Sequence, residues 1–384
     1  MFRKTYRRGH VEIYFNKYKI FSFNKDNNVF ARMISSRKND TWNERNAEII
    51  RSWPGVEHYE KRVLFVVRSM ESTGGMETRL NKFAKSMQDR GILPCFLVMY
   101  HEYTPLKQYP MFWLSMDAPD FQRSLEELLV VAGISVVEFQ VKWESFLEKF
   151  DWIHLRTLCR TGCTVHEAHD FPWHVIDQMD YSIFVREKNS DRVANAHRVL
   201  NGVEVIDPQW RYAGQKKAVF ISRLNKEKLP TLLSFCDFCT RHGLHGDIAA
   251  PMNPEAVNVR EKIWKRYGQE AFTFLGAVTT VPFLKAHGGD YLFCAGVGQV
   301  VMEALAAGMP ALVCSHLGEA SSTFLSEENF SLLRRKNFVI SGQIPVPLMR
   351  DMAFARRWKA PEAMFTDISF QQQFETWLKV AGLA

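Results

Sequence analysis

Two hydrophobic rhythms alternate along this chain. Short apolar runs bounded by polar or glycine-containing stretches predict buried strands, and segments whose apolar residues recur every three or four positions predict helices. Residues 62–69 (RVLFVVRS) are such a strand, and within 76–90 the residues Leu80, Phe83, Ala84 and Met87 fall on one helical face. A strand over 93–100, an aromatic-rich loop over 101–118, a helix over 120–132, a strand over 134–139, a helix over 143–149 and a strand over 151–155 (DWIHL) follow. Further short strands are expected at 162–166 and 181–185. After a polar passage through Arg211-Tyr212-Ala213-Gly214-Gln215 the alternation starts afresh. Strands are expected at 218–222, 246–249 and 272–275, and helices at 230–241, 255–267 and near 279–286. Strands alternating with helices over these lengths form parallel sheets covered on both faces, so the pattern predicts an α/β protein of two doubly wound, Rossmann-like domains.

The two ends of the chain break the rhythm. Residues 11–23 (VEIYFNKYKIFSF) predict a hairpin around Asn16-Lys17, and the polar stretch 24–45 predicts a loop or linker. Near the C-terminus Phe370, Phe374, Trp377 and Leu378 stand at helical spacing, an amphipathic closing helix. The expected organisation is an extension over 1–61, a first domain over 62–205, a second over 206–365 and the closing helix over 366–384.

Composition sharpens this picture at a few points. The 384 residues suffice for two cores, and 46% apolar with 24% charged residues describes a globular protein. No apolar run reaches the roughly 18–20 residues of a membrane span, and no apolar segment of signal-peptide type follows the basic start. Seven scattered cysteines suit a reducing cytoplasm. Cys236 and Cys239, with His242 nearby, have a zinc-like spacing but fall on a helix without a second pair, so core thiols are the expectation. Charge is uneven. Residues 1–51 hold 12 Lys and Arg against 5 Asp and Glu, which equals the net charge of +7 for the whole chain. An anionic membrane surface, a phosphorylated glycan or nucleic acid would meet the protein there.

The stretch 289–319 (GDYLFCAGVGQVVMEALAAGMPALVCSHLGE) carries the most chemistry. It predicts a strand over 290–294, a glycine turn, a helix over 299–307 stopped by Gly308-Met309-Pro310, and a second strand over 311–314. Glycines admit a ligand close to the backbone, and the helix start presents N–H groups and the positive end of its dipole, where a phosphate belongs. Glu303, about one turn into the helix, can accept hydrogen bonds from sugar hydroxyls. An ordinary βαβ crossover whose glycines only tighten packing remains the alternative.

In the run GVGQVVMEALAAGMPALV the chain resembles the nucleotide-sugar site of retaining GT-B glycosyltransferases, in particular glycosyltransferase family 4. That family usually carries a Glu-x7-Glu pair followed by Ala-x-x-Gly-x-Pro. Here Glu303 is the second Glu, Ala306-Ala307-Gly308-Met309-Pro310 is the turn, and Ala295 stands where the first Glu is expected. Ser222-Arg223-Leu224-Asn225-Lys226-Glu227-Lys228 matches a second family signature at Arg223 and at Glu227-Lys228, with Ser222 in place of a glycine. Gly74-Gly75-Met76-Glu77 and the strand-ending His166 match two more.

The resemblance, over roughly 62–325, implies two Rossmann-like domains facing a cleft. Its implied catalytic residues are His166, Arg223 and Lys228. Its donor-binding residues are Gly74, Gly75, Gly296, Val297, Gly298, Gln299, Val300, Val301 and Glu303. Arg and Lys would stabilise the departing diphosphate without a metal, in keeping with the absence of an Asp-x-Asp pair from the sequence, and no cofactor is expected. The implied partners are a nucleotide-diphosphate sugar and a glycan or lipid-linked acceptor, in bacterial lipopolysaccharide or surface polysaccharide assembly. The implied place is the cytoplasm, possible contact with the inner face of the membrane running through residues 1–51. A non-catalytic protein of the same fold that only holds a nucleotide or glycan is the alternative. A nucleic-acid or membrane adaptor would leave Arg223, Lys228 and Glu303 unexplained, and nucleic acid is not an expected partner.

Overall fold

The apolar runs of the first half build one sheet and those of the second half another. In the computed structural model the described residues are all except 1, 8–9, 16–17, 25–39, 68–74, 99–105, 115–119, 142–146, 149, 167–172, 186–191, 206–209 and 343–345. At the N-terminus β1 (Phe2–Arg7), β2 (His10–Phe15) and β3 (Tyr18–Asn24) form an antiparallel sheet of three strands. The expected hairpin is therefore present as β2–β3, with an additional strand before it. Of the polar loop expected over 24–45, residues 25–39 lie outside the described residues, and Asp40–Arg51 form helix α1. Ala47 and Ile50 are buried from α1, and so is Asn46, whose amide imitates a strand edge. Its Nδ2 donates to the Trp113 carbonyl (2.9 Å) and its Oδ1 accepts the Trp113 N–H (3.1 Å).

Seven strands follow: β4 (Lys61–Val67), β5 (Ile92–Val98), β6 (Met111–Phe112), β7 (Val136–Val141), β8 (Arg160–Val165), β9 (Tyr181–Phe184) and β10 (Ala196–Arg198). Their order is β10-β9-β8-β7-β4-β5-β6, and β4 pairs in parallel with β5 and β7. The connecting helices are α2 (Gly75–Gln88), α3 (Phe121–Val131), α4 (Trp152–Leu158) and α5 (Trp173–Ile176). Helix α4 corrects the expected strand over 151–155. Asp151 caps it by accepting the His154 N–H (3.0 Å), and Trp152 and Leu155 are buried while Ile153 is 78% exposed. That is a three-residue repeat, and it lies within a run that also looks apolar enough for a strand. Of the helix expected over 143–149, residues 142–146 and 149 lie outside the described residues; 147–148 make a short turn.

The second series is β11 (Lys217–Ile221), α6 (Leu229–His242), β12 (His245–Ala249), α7 (Pro254–Tyr267), β13 (Phe272–Gly276), α8 (Thr280–His287), β14 (Cys294–Gly296), α9 (Gln299–Ala306), β15 (Ala311–Val313) and β16 (Thr323–Phe324). Its order is β13-β12-β11-β14-β15-β16, parallel except for β16. Strand β14 starts later than expected, after a tight turn over Gly288–Asp290. Alternate residues of β11 feed two cores: Val219 and Ile221 pack with Val301 and Met302 of α9, and Ala218 and Phe220 with Phe235 and Phe238 of α6. This period of two is the signature of a sheet covered on both faces. Four helices complete the chain: α10 (Glu327–Arg335), α11 (Met352–Arg356), α12 (Glu362–Ile368) and α13 (Phe370–Ala381). The expected closing helix is α13. Its Gln373 Oε1 accepts the Leu200 N–H (2.7 Å), and a Cβ on Gly202 would lie 2.6 Å from the Phe370 Cα, so the chain at 200–203 is seated directly on it.

By packing, the chain divides into two units, Met1–Thr164 with His169–Ser182, and Val165–Ala168 with Ile183–Ala384.

Candidate functional site

In the second sheet the chain leaves β11 toward β12 and β13 on one side, then returns to place β14 and β15 on the other. Loops leaving β11 and β14 at their carboxyl ends therefore part in opposite directions and open a crevice, the position at which open α/β sheets take ligands. Both expected motifs stand there. The loop after β11 holds Arg223 and Lys228, and the turn after β14 holds Val297 and Gly298.

The first loop is held from both ends. Ser222 N–H donates to the Ala249 carbonyl (3.2 Å), and Leu224 is buried at 2% exposure in the core beneath α6, an anchor of about 1.5–3 kcal/mol. Asn225 then turns the chain, its Oδ1 accepting the Lys228 N–H (3.0 Å) just before α6. Between these anchors Arg223 is exposed, while Lys228 is half-buried at the helix start.

The glycine turn is tighter. A Cβ on Gly296 would meet the Ile221 carbonyl at 3.2 Å and Val300 Cγ1 at 3.0 Å, so this position has no room for a side chain. Gly298 caps α9 at φ 62°, ψ −124°, a conformation that L side chains disfavour. Its carbonyl accepts the N–H groups of Val301 (3.2 Å) and Met302 (3.4 Å). The N–H groups of Gln299 and Val300, in the first turn, have no acceptor within the helix by geometry. Free N–H groups at the positive end of a helix dipole are suited to an anionic group such as a phosphate. Gln299, Val300 and Glu303 are half-buried, whereas the Val301 side chain enters the core. Gln299 Nε2 lies 3.5 Å from Glu303 Oε1. Glu303 is also close enough to Cys294 that, after burial itself, its carboxylate helps to push that thiol up and keep it protonated.

Part of the turn was not legible in the sequence. Asn337 and Phe338 both have positive φ (52° and 53°), and the Phe338 carbonyl accepts the Gly298 N–H (3.1 Å). The pair ends α10, with Asn337 N–H on the Arg334 carbonyl (2.9 Å) and Phe338 N–H on that of Leu333 (2.7 Å). A polar helix end followed by Asn was the available signal.

Ala295 has a physical explanation. It is 1% exposed and packs with Phe220, Leu292 and Leu312. A carboxylate on this Cβ would be buried among apolar side chains, at a cost of several kcal/mol.

No protein-family model matches the sequence, and no curated protein matches it significantly. Solved structures do match. A glycosyltransferase from Rickettsia africae aligns over 84% of this chain and 98% of its own, at 12% identity and a TM-score of 0.60. Anabaena HepE in complex with UDP aligns over 84% and 100%, at 13% identity and 0.60, and HepE has also been solved with UDP and glucose. WaaB, a lipopolysaccharide outer core galactosyltransferase, aligns over 83% and 98%, at 11% identity and 0.55. The chain has the GT-B fold.

Within the GT-B fold the remaining expected residues belong to the first sheet. His166 is half-buried immediately after β8, and Gly75 opens α2. Gly74 lies outside the described residues. Cys236 and Cys239 are buried in the core of α6, where burial pushes both thiols up. Among the described residues no group of three or more His, Cys, Asp or Glu could hold a metal ion, and no helix is long and apolar enough to cross a membrane.

Proposed function

We propose that the chain is a nucleotide-sugar-dependent glycosyltransferase whose donor diphosphate sits at the carboxyl ends of β11 and β14. The observation that carries this reading is the meeting of the Arg223–Lys228 loop with the glycine-capped start of α9 at the switch point of the second sheet. GT-B neighbours solved with UDP support it.

In this reading Gln299 and Val300 N–H groups hold the diphosphate and Glu303 accepts hydrogen bonds from the ribose hydroxyls. Transfer breaks the bond between the anomeric carbon and the diphosphate oxygen, and the electron pair leaves with the diphosphate. Arg223 and Lys228 stabilise that growing negative charge by charge-assisted hydrogen bonds, with no metal ion needed. The acceptor hydroxyl forms the new glycosidic bond on the face from which the diphosphate departs, and its proton passes to a diphosphate oxygen. The sugar configuration is thereby retained. The reading assigns His166 a role at the donor sugar, as the resemblance implies. The acceptor is a glycan or a lipid-linked glycan of bacterial surface polysaccharide or lipopolysaccharide assembly, reached from the cytoplasm. The positive charge of residues 1–51 docks the enzyme on anionic membrane, where each basic residue in reach contributes about 1 kcal/mol. Sedimentation with acidic vesicles should decline as salt rises and be lost on deleting 1–51.

Incubating the full chain with UDP-sugars and acceptor extracts tests the reading: release of UDP that rises with acceptor supports it. Ala295, buried where the family has a donor-contacting Glu, favours one other reading, a protein that holds the nucleotide without transfer. Tight UDP binding with no donor turnover, with or without acceptor, would establish that alternative.

A further inference from the structure

The body of the first sheet encloses charge that the donor site does not use. Glu138, on β7 opposite Phe65 of β4, is 1% exposed. Its Oε1 accepts hydrogen bonds from Gln140 Nε2 (2.7 Å) and from Thr164 Oγ1 of β8 (2.7 Å), and its Oε2 accepts one from the Tyr181 hydroxyl of β9 (2.9 Å). The last bond spans a whole strand, since β8 lies between β7 and β9. It is possible because residue 162 is glycine. A Cβ there would lie 2.1 Å from Tyr181 Cζ, so the phenol ring occupies the space that a side chain on β8 would fill. Burial and the Glu138 charge both raise the Tyr181 pKa, so the phenol remains a donor.

Arg79 of α2 faces the same network. It is 2% exposed, its guanidinium lies 4.7 Å from the Phe83 ring centroid, and burial lowers its pKa while the Glu138 charge opposes that. All three guanidinium nitrogens are buried without a hydrogen-bond partner. A buried carboxylate and guanidinium that do not touch are a costly arrangement, and apolar residues of similar volume would often be at least as stable. Stability is therefore a poor reason for this cluster.

Its placement offers a better one. Thr164 is the penultimate residue of β8, and His166 follows two residues later. A strand end that slides or rotates at Thr164 carries His166 with it. We propose that Glu138 is a positioning residue: through Thr164, and with Tyr181 bracing its other oxygen, it fixes the carboxyl end of β8 and the orientation of His166. The catalytic consequence rests on the glycosyltransferase reading; the positioning does not.

Two readouts separate them. Histidine-selective NMR on the full chain, with the His166 signal assigned through H166N, reads position directly. E138Q and T164V are expected to shift and broaden the His166 imidazole signal, whereas T164S, which keeps the hydroxyl, leaves it in place. With UDP-glucose as the probe donor, E138Q and T164V should each lower kcat on the order of 10²-fold, as small misplacements do, with donor KM nearly constant. The double variant should lose no more than either single one. Should E138Q fail to fold, T164V carries the test. An unmoved His166 signal in T164V, equal perturbation by T164S and T164V, or multiplying losses in the double variant would overturn the proposal. Absence of turnover in the wild type would count against the glycosyltransferase reading alone, and the NMR comparison would still decide the positioning.

Discussion

Strands β11 and β7 handle charge in opposite ways. Along β11 of the second sheet the strand body is apolar: Ala218, Val219, Phe220 and Ile221 are all buried, and Arg223 and Lys228 come after the strand end, on a loop pinned by Leu224 and Asn225. In the first, the carboxylate is inside the sheet itself, with Glu138, Gln140, Thr164 and Tyr181 bonded across three strands. Exposed charge at a strand end is free to meet a ligand and costs the fold little. Enclosed charge cannot reach a ligand without movement, and its value lies in fixing what surrounds it. Function and stability should therefore separate at the loop after β11 and stay coupled at the β7 network.

The largest effect is expected at Arg223. Arg223→Ala should lower kcat about 10²- to 10³-fold while leaving the melting temperature nearly unchanged, because an exposed side chain contributes little to the fold. Near wild-type turnover would remove Arg223 from the transition state. Gly162→Ala comes next and should behave in the opposite way. Displacing the Tyr181 ring is an overpacking of about 1–3 kcal/mol, which thermal unfolding would register as a lower midpoint, and turnover should fall with it. Unchanged stability would mean that the phenol has an alternative place, and the contrast between the two strands would weaken. The smallest effect is expected at Glu303. Glu303→Gln turns a charge-assisted hydrogen bond into a neutral one, so calorimetry should find UDP binding weakened by about 1 kcal/mol. Equal affinity would give Glu303 a role confined to Gln299 and the helix.

The same contrast governs what could be read in advance. Most of the second series was legible, because strands such as β11 are short apolar runs and helices end at glycines such as Gly243 and Gly308, whereas β14 began later than expected and β16 was not foreseen. The places of Arg223 and Lys228 after β11 and of Glu303 on α9 were legible from the resemblance, while their roles are the proposal made above. Helix α1 was not, because its buried set includes a polar residue, Asn46, whose partner Trp113 is distant in sequence. Over 151–155 the apolar content suggested a strand, and only the Asp151 cap and the exposure of Ile153 reveal the helix. The Glu138 network was hidden for a related reason. A polar residue inside a strand reads as an outward position until its neighbours across the sheet are known. Phe338 shows the limit most plainly, since a positive φ at phenylalanine is imposed by the Gly298 contact and by the end of α10.

The central claim is that the carboxyl ends of β11 and β14 hold a nucleoside diphosphate, and a crystal structure of the full chain with UDP tests it most directly. Expected is a diphosphate at the start of α9, its oxygens about 2.7–3.2 Å from the N–H groups of Gln299 and Val300, with the Arg223 guanidinium turned onto it. UDP bound elsewhere in the chain, or at this turn with Arg223 pointing away into solvent, would contradict it.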